Sequence, residues 1–193
     1  MLVHGVGIND ANYPVYVCHA GVRKQHPAYT AWVNMLKRCY SREFHLEQPS
    51  YVGCTVSPDW LYFTAFERWW SLNYKVGYEL DKDILVPGNK VYSPNTCIFI
   101  PKWVNQFVIA GNSNKGYPLG VSVMPKYVRK PYRARCSYNN RTVTIGYYST
   151  PEEAHRARLE YKIRIVESRR LELDVIVPNL TNMIINKIHL MEV

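Results

Sequence analysis

The chain has 193 residues, a formal net charge of +9 and five scattered cysteines. This length suffices for one good core or two small ones, and a hydrophobic content of 47% is typical of a globular protein rather than a disordered one. No apolar run approaches a membrane span, and the first residues lack the pattern of a signal peptide. The cysteines form no Cys-x-x-Cys pair, which argues against a disulfide framework and against structural zinc. We therefore expect a protein of the reducing cytoplasm with no membrane partner.

The positive charge is concentrated in one segment. Residues 116–170 contain twelve Lys and Arg and four Glu, so this segment carries +8 of the net +9. A localised basic excess is what binding to phosphate groups needs. A solvated face kept soluble by repulsion is the alternative, but an excess spread over the whole chain would suit it better. The charge distribution therefore favours a polyanionic partner.

The first part of the chain predicts two helices after an irregular start. Residues 1–27 are rich in turn formers, with a short apolar piece at Tyr16–Cys18 that can form an edge strand. A helix over 28–40 is indicated by apolar residues at i, i+3, i+4 and i+7, namely Trp32, Met35, Leu36 and Cys39. A second helix is expected to begin at Ser57 as N-cap with Pro58 in its first turn. Its aromatic stripe fits a core better than a base-stacking surface: Trp60, Phe63, Phe66 and Trp70.

The middle of the chain predicts a hairpin and then a linker. A strand from Tyr78 to Val86, a turn at Pro87–Asn89 and a strand at Lys90–Tyr92 together indicate a short hairpin. Residues 96–107 predict a last short strand or helix. The stretch from Ala110 to Pro118 is rich in Gly, Asn and Ser and is the best candidate linker.

After the linker the pattern predicts three strands and a helix. The strands are expected at 119–124, 132–138 and 141–148, with a turn at Asn139-Asn140. Thr150 can cap the helix, Pro151 suits its first position, and Glu153 can complete a capping box. The predicted inward face of this helix consists of Ala154, Ala157, Tyr161 and Ile165. The sequence does not place residues 171–193.

Two arginines of the middle strand are expected to point away from this helix. Arg133 and Arg135 are two residues apart, so an alternating strand sends them to the same face. A pair of arginines is a poor choice for the face that packs on the helix. Tyr132 and Ala134 are the better inward residues.

The segment from Gly120 to Arg169 resembles the DNA-binding domain of plant ethylene-response factors. Phages carry domains of this type beside HNH endonuclease modules. The resemblance rests on Gly120–Val123, Tyr132–Arg135, the block Ile145–Ala154 and the region of Lys162. It implies that the sheet, rather than the helix, enters the major groove of double-stranded DNA. By position it assigns DNA contacts to Lys130, Arg133, Arg135, Tyr138, Arg141 and Thr144. The strong Trp contacts of the plant domain are missing, which puts base specificity in doubt.

The middle of the chain resembles phage HNH-like endonucleases. The resemblance rests on Trp32–Cys39, Asp59–Phe63, Leu80–Ile84 and Tyr92–Cys97. It implies a site with one Mg²⁺ or Mn²⁺ ion held by Asp81 and Asp83, with Asp83, Asn95 and Asn105 in catalytic positions. No histidine lies between His45 and His155, so the usual general base of this family is absent. A purely structural role, with both Asp residues paired to lysine or arginine, is the alternative.

These patterns predict an α+β protein in three parts. They are an HNH-like α/β module over 1–110, a linker over 111–118, and a three-stranded antiparallel sheet packed on one helix over 119–193. The resulting hypothesis is a phage-type DNA-binding protein related to HNH homing endonucleases, with a weak or lost nuclease site. Whether it is an enzyme stays open at this stage. The alternative is a non-catalytic inhibitor or regulator that acts on a host nucleic-acid or defence protein. If the protein is phage-encoded, the expected location is the cytoplasm of the host cell.

Overall fold

The computed structural model describes residues 2–19, 21–108, 116–139 and 141–190. They form a mixed α and β structure with small sheets, one of them three-stranded and antiparallel. The chain divides into two compact units, Met1–Phe99 and Ile100–Val193. This division assigns residues 100–110 to the second unit rather than the first. Of the predicted linker, residues 111–115 lie outside the described residues. Among the described helices, none has both the length and the hydropathy needed to cross a bilayer.

The first unit contains three helices and several very short strands. β1 pairs with β2 in an antiparallel ribbon, β3 pairs with β5 in parallel, and β4 pairs with β6. In chain order the elements are β1 (Tyr16–His19), β2 (Val22–Gln25), α1 (Pro27–Tyr40), α2 (Arg42–Glu47), β3 (Thr55–Val56), α3 (Phe63–Asn73), β4 (Tyr78–Asp81), β5 (Val91–Tyr92) and β6 (Ile98–Pro101). The boundary between the units falls within β6.

The core of the first unit is aromatic, and the predicted helix over 28–40 is confirmed as α1. All four residues of its predicted apolar face are buried. The indole of Trp32 donates a hydrogen bond to the carbonyl oxygen of Trp60 at 2.7 Å, and its ring lies 5.6 Å from that of Phe63. Phe66 packs edge-on against Trp60. The aromatic stripe is therefore core, as its spacing predicted, although Trp70 is only half-buried.

Two local predictions for this unit are wrong. The segment after Ser57 is a 3-10 turn over Pro58–Leu61, and α3 begins only at Phe63; the Ser57 hydroxyl caps neither. The predicted hairpin does not form, because β4 and β5 pair with different partners. The turn formers at residues 87–89 are present, but the short β5 finds its ladder partner in β3.

The second unit is a three-stranded sheet covered by helices. Its elements after β6 are α4 (Lys102–Phe107), β7 (Val121–Val123), β8 (Tyr132–Tyr138), β9 (Arg141–Tyr148), α5 (Pro151–Ser168), α6 (Arg170–Asp174) and α7 (Leu180–His189). The sheet order is β7-β8-β9, antiparallel throughout. α5 packs across one face of the sheet, α7 packs against α5, and α6 packs against α7. The residues left unplaced by the sequence thus form two further helices through residue 189.

The start of α5 follows its sequence signals. The Thr150 hydroxyl accepts a hydrogen bond from the Glu153 amide at 3.1 Å, and the Glu153 carboxylate accepts one from the Ser149 amide at 3.0 Å. The inward face of α5 differs from the prediction, since Ala157, Tyr161 and Ile165 are only half-buried. The buried residues are Ala154, Arg158, Leu159, Lys162 and Val166. The buried face of α5 is therefore rotated about the helix axis relative to the predicted one, and it contains two cations, Arg158 and Lys162.

Candidate nucleic-acid interface

The sheet of the second unit has one face toward α5 and one face that α5 leaves uncovered. Ala134 and Cys136 of β8 are buried together with Ala154 of the helix. Because strand residues alternate, the residues between them point the other way. Arg135 is exposed and Arg133 half-buried, as expected from the alternation. We call the uncovered side the outer face; the register assigns to it Ser122, Arg133, Arg135, Ser137, Thr142, Thr144 and Tyr147.

The outer face is polar and hydrogen-bonded along its length. Arg133 Nε donates a hydrogen bond to Ser122 Oγ at 3.4 Å, across the β7–β8 pair. At the other end the hydroxyls of Ser137 and Thr142 lie 2.8 Å apart across the β8–β9 pair. The neighbours of the two arginines on this face are therefore small hydroxyl side chains. Because these side chains are short, they leave the guanidinium groups accessible to a ligand.

A β-bulge in β9 shapes this face. Ala134 lies opposite Gly146 and Arg135 lies opposite Thr144, so Ile145 is an extra residue in β9. Without the bulge, Thr144 and Tyr147 would point to opposite faces, since they are three residues apart. With it, each lies beside one of the two arginines, Thr144 by Arg135 and Tyr147 by Arg133. Gly146 inside the strand is a local sequence signal for a bulge, but it does not specify which residue is the extra one.

An aromatic and basic cluster lies at the Arg133 end of the outer face. The ring of Tyr127, from the loop between β7 and β8, lies 4.4 Å from the ring of Tyr147. Lys126 Nζ lies 5.0 Å from the centre of the Tyr127 ring. The hydrogen bond with Tyr147 and the charge of Lys126 lower the pKa of the Tyr127 hydroxyl. Tyr127, Tyr147 and Lys126 were not among the predicted contacts, because only the fold brings loop and strand together.

Three of the six predicted DNA contacts lie on the outer face: Arg133, Arg135 and Thr144. Lys130 is exposed in the loop beside Tyr127, and its amide donates a hydrogen bond to the Tyr127 carbonyl at 3.2 Å.

Tyr138 and Arg141 do not share this face. Tyr138 and Arg141 are opposite each other at the hairpin end of β8 and β9. Tyr138 is two residues from Cys136 and four from Ala134 along the strand, so it points to the same side as they do, the helix side, and its partner Arg141 does too. The Tyr138 ring packs edge-on against Trp103 and Phe107 of α4, and its hydroxyl accepts a hydrogen bond from Arg169 at 3.0 Å. Tyr138 thus joins α4 and α5 to the sheet.

Comparisons of the chain with models of protein families, with curated proteins and with solved structures gave no match.

The predicted metal pair, Asp81 and Asp83, does not have the expected geometry. β4 ends at Asp81, so Asp83 lies beyond the strand, and the alternation that would align the two carboxylates does not apply. The carboxylate of Asp81 is buried and accepts hydrogen bonds from the amides of Asp83 and Ile84, at 2.9 and 2.7 Å. It therefore closes the turn that follows β4.

A cation already lies beside these carboxylates. The buried ammonium of Lys82 donates a hydrogen bond to Asp83 at 2.9 Å. Burial alone would lower the pKa of Lys82, but the hydrogen bond and the charge of Asp83, with the charge of Asp81, raise it. A divalent ion bound between Asp81 and Asp83 would face this ammonium at short range, and like charges repel strongly in a buried site. The residues therefore do not fit the implied Mg²⁺ or Mn²⁺ ion, and the described residues contain no group of three or more His, Cys, Asp or Glu side chains arranged to hold a metal.

The two predicted asparagines belong to different units of the chain. Asn95 is exposed in the turn between β5 and β6, in the first unit. Asn105 lies on α4, in the second unit. The resemblance to HNH endonucleases thus stays a prediction, and the geometry around Asp81 gives its catalytic part no support.

Proposed function

We propose that the protein binds double-stranded DNA through the outer face of the β7-β8-β9 sheet and that it does so without cutting the DNA. One observation carries the proposal: Arg133 and Arg135 lie side by side on a polar sheet face that α5 leaves uncovered. Small twisted sheets fit the major groove of DNA, where Arg can contact guanine edges or phosphates.

The surroundings of the two arginines support a nucleic-acid partner over a neutral one. The β7–β8 loop adds three cations near the Arg133 end: Lys126, Arg129 and Lys130. The half-buried Tyr147 and exposed Tyr127 offer ring surface beside these charges. Ser and Thr hydroxyls along the strands can donate to phosphate oxygens. Cations, hydroxyls and aromatic rings on one face are the combination that phosphate backbones and bases require.

The test compares two double variants that remove the same charge. Binding of a short fluorescein-labelled duplex is followed by fluorescence anisotropy at fixed salt. We expect Arg133→Ala with Arg135→Ala to weaken binding at least tenfold, since each lost contact to a base or phosphate costs about 1–3 kcal/mol. The control is Arg156→Ala with Arg164→Ala, which removes two exposed arginines of α5 and should change affinity by much less.

Three results would contradict the proposal. Equal losses in both double variants would mean that general charge, rather than the outer face, determines binding. Unchanged affinity in the Arg133 and Arg135 variant, with a native thermal unfolding curve, would show that the sheet is not the docking surface. Competition by polyglutamate as effective as that of unlabelled duplex would favour an acidic protein partner instead.

A further inference from the structure

Two cations are buried on the inward side of α5. Arg158 and Lys162 are one helical turn apart, and their side chains are only 7% and 2% exposed. Among the described residues, neither Arg158 Nε nor Lys162 Nζ has a hydrogen-bond partner. Isolated buried charges of this kind are costly unless a partner compensates them. Like charges four residues apart on a helix also repel each other.

The described surroundings do not supply that partner. The Cys136 sulfur and the Phe107 ring are the groups that face Lys162, whose Nζ lies 5.4 Å from the ring centre. Burial, and then the charge of Arg158, lower the pKa of Lys162 to about 8. Burial also lowers the pKa of Arg158. Burial raises the pKa of the Cys136 thiol, so at neutral pH it stays uncharged and gives no anion to either cation.

The two cations line a cavity of about 370 Å³ within the second unit. Its other walls are formed by Gln106 and Phe107 of α4, by Leu119 and Gly120 before β7, by Arg135, Cys136 and Ser137 of β8, and by Thr142 of β9. Volumes in this range are typical of sites for small organic ligands. The cavity is thus much larger than a single bound water would need. It combines two buried cations with polar side chains and with the apolar residues Phe107 and Leu119.

Gly120 keeps this cavity open at the start of β7. Its φ of +84° lies in the left-handed region, and a Cβ there would come within 2.4 Å of Arg158 Nε and 2.6 Å of the Arg135 carbonyl oxygen. A side chain at residue 120 would therefore displace the Arg158 guanidinium. The backbone and the two cations fit each other only with glycine at this position.

We infer that this cavity binds a small phosphate monoester of mononucleotide size, with its oxyanion between Arg158 and Lys162. Two fixed cations match the double negative charge of a phosphate monoester, and Arg and Lys are the side chains that bind phosphate best. The apolar walls, Phe107 and Leu119, suit the organic part of the ligand. Inorganic phosphate alone would leave much of the volume unfilled, so it should bind more weakly.

The cavity adjoins the proposed DNA interface, because Arg135, Ser137 and Thr142 of the outer face are among its lining residues. Arg158 and Lys162 lie on the helix side of the sheet, whereas Arg133 and Arg135 belong to its outer face. The inference rests on the two buried cations, which lack hydrogen-bond partners at Nε and Nζ within the described part of the chain, and not on the proposed function. Measuring duplex binding beside ligand binding shows which of the two proposals has failed.

The experiment uses the full-length protein and an equimolar mixture of the four deoxynucleoside 5′-monophosphates. Ligand binding is measured by isothermal titration calorimetry and by the shift in Tm, at an ionic strength held constant with NaCl. We expect the monophosphates to raise Tm by several degrees, inorganic phosphate to raise it less, and the corresponding deoxynucleosides to leave it unchanged. No Tm shift and no heat of binding with the monophosphates would overturn the inference.

A variant of Lys162 separates a ligand site from a structural role. Lys162→Met should raise Tm in the absence of ligand, because it removes one of two repelling buried charges, and it should weaken monophosphate binding at least tenfold. Lys130→Met, an exposed lysine of the same unit, should retain the full response. Arg158→Met provides a second variant with the same expectation as Lys162→Met. Undiminished monophosphate binding in both cavity variants would contradict the assignment.

Discussion

The ammonium nitrogen of Lys82 lies 2.9 Å from Asp83 Oδ2, with the lysine side chain buried and the carboxylate 30% exposed. The same nitrogen donates to the Asn89 carbonyl at 3.1 Å, and the Asn89 side-chain amide donates back to the Lys82 carbonyl at 2.6 Å. Through these hydrogen bonds the buried Lys82 connects the two ends of the loop between β4 and β5 and stabilises it. Asp81 and Asp83, which resemble a metal-binding pair by sequence, thus lie in a turn that the Lys82 ammonium stabilises.

Lys82→Met should destabilise the first unit. It leaves the Asp83 carboxylate without its ion pair beside the buried Asp81, and removing one partner of a largely buried pair is destabilising. Because Asp83 is partly exposed, water compensates some of the loss, and we expect about 1–3 kcal/mol. Urea unfolding followed by Trp fluorescence measures it. Lys90→Met, at an exposed lysine, is the control; an equal effect of both variants would mean that the buried pair has no special role.

Plasmid DNA should not be nicked above background in Mg²⁺ or Mn²⁺. The reason is local, since Asp81 is engaged by two backbone amides and Asp83 by Lys82. Agarose-gel analysis of supercoiled plasmid checks this, with Asp83→Ala as the matched variant. Metal-dependent nicking by the native protein that disappears in Asp83→Ala would contradict this prediction and restore the nuclease hypothesis.

Duplex binding should weaken steeply as salt rises, because Lys and Arg release counterions condensed on phosphates. Each phosphate contact contributes about 0.9 to the slope of log affinity against log salt. If Arg133 and Arg135 both contact phosphate, the double Ala variant should reduce the slope by roughly 2; guanine contacts would lower affinity and change the slope less. Anisotropy titrations at several NaCl concentrations measure the slope. Binding by the native protein that is independent of salt would contradict a polyanion partner.

Thr150→Ala should destabilise the second unit by about 1 kcal/mol, the usual loss for an N-cap side chain. The Thr150 hydroxyl accepts from the Glu153 amide, and Ala cannot replace that acceptor. Thr150→Ser keeps an oxygen at the same position and should restore most of the stability. Thermal unfolding of the three proteins checks this. A Ser variant as unstable as the Ala variant would show that the hydroxyl does not cap α5.

How far the sequence predicts this fold depends on whether the signals are local. The strands over 132–138 and 141–148 and the cap at Thr150 depend on neighbouring residues, and these predictions are confirmed. Burial alternates along β8, whereas the bulge interrupts the alternation in β9. The partner of β5 is set by tertiary contacts with β3, which no local pattern at residues 87–92 encodes. α4 belongs with the second unit through Trp103 and Phe107 against Tyr138, although the glycine-rich stretch lies after it in the chain.

The candidate sites show the same limit. Arg133 and Arg135 were found by alternation alone, whereas the bulge at Ile145 and the pairing of Tyr127 with Tyr147 need the folded sheet. The buried cations of α5 were missed for a different reason. The helical periodicity of apolar residues predicts a buried face from those residues alone, so it gives no sign that Arg158 and Lys162 are buried. Only the rotation of the helix on the sheet reveals that they point inward.

The stability of the second unit should increase as pH rises through the alkaline range, and Lys162 should be the cause. Its pKa is about 8 in the folded protein, below the ordinary value of 10.5, first because of burial and then because of Arg158. Between these two pH values the unfolded chain binds a proton that the folded chain does not, so the free energy of unfolding rises with pH. Below pH 8 both states are charged and this contribution is constant. The charged groups near Lys162 are Arg158 and, on the same cavity lining, Arg135, and arginines keep their proton over this range. The Cys136 thiol, with its raised pKa, is the other titratable neighbour. Urea unfolding in phosphate-free buffer from pH 7 to pH 10 should therefore show the native protein gaining stability relative to Lys162→Met, while other titrating groups cancel in the difference.

Saturating deoxynucleoside monophosphate should reduce this gain in stability with pH, since a bound oxyanion favours the charged ammonium of Lys162. A difference between the two proteins that stays constant across the range would mean that Lys162 keeps its proton in the folded protein.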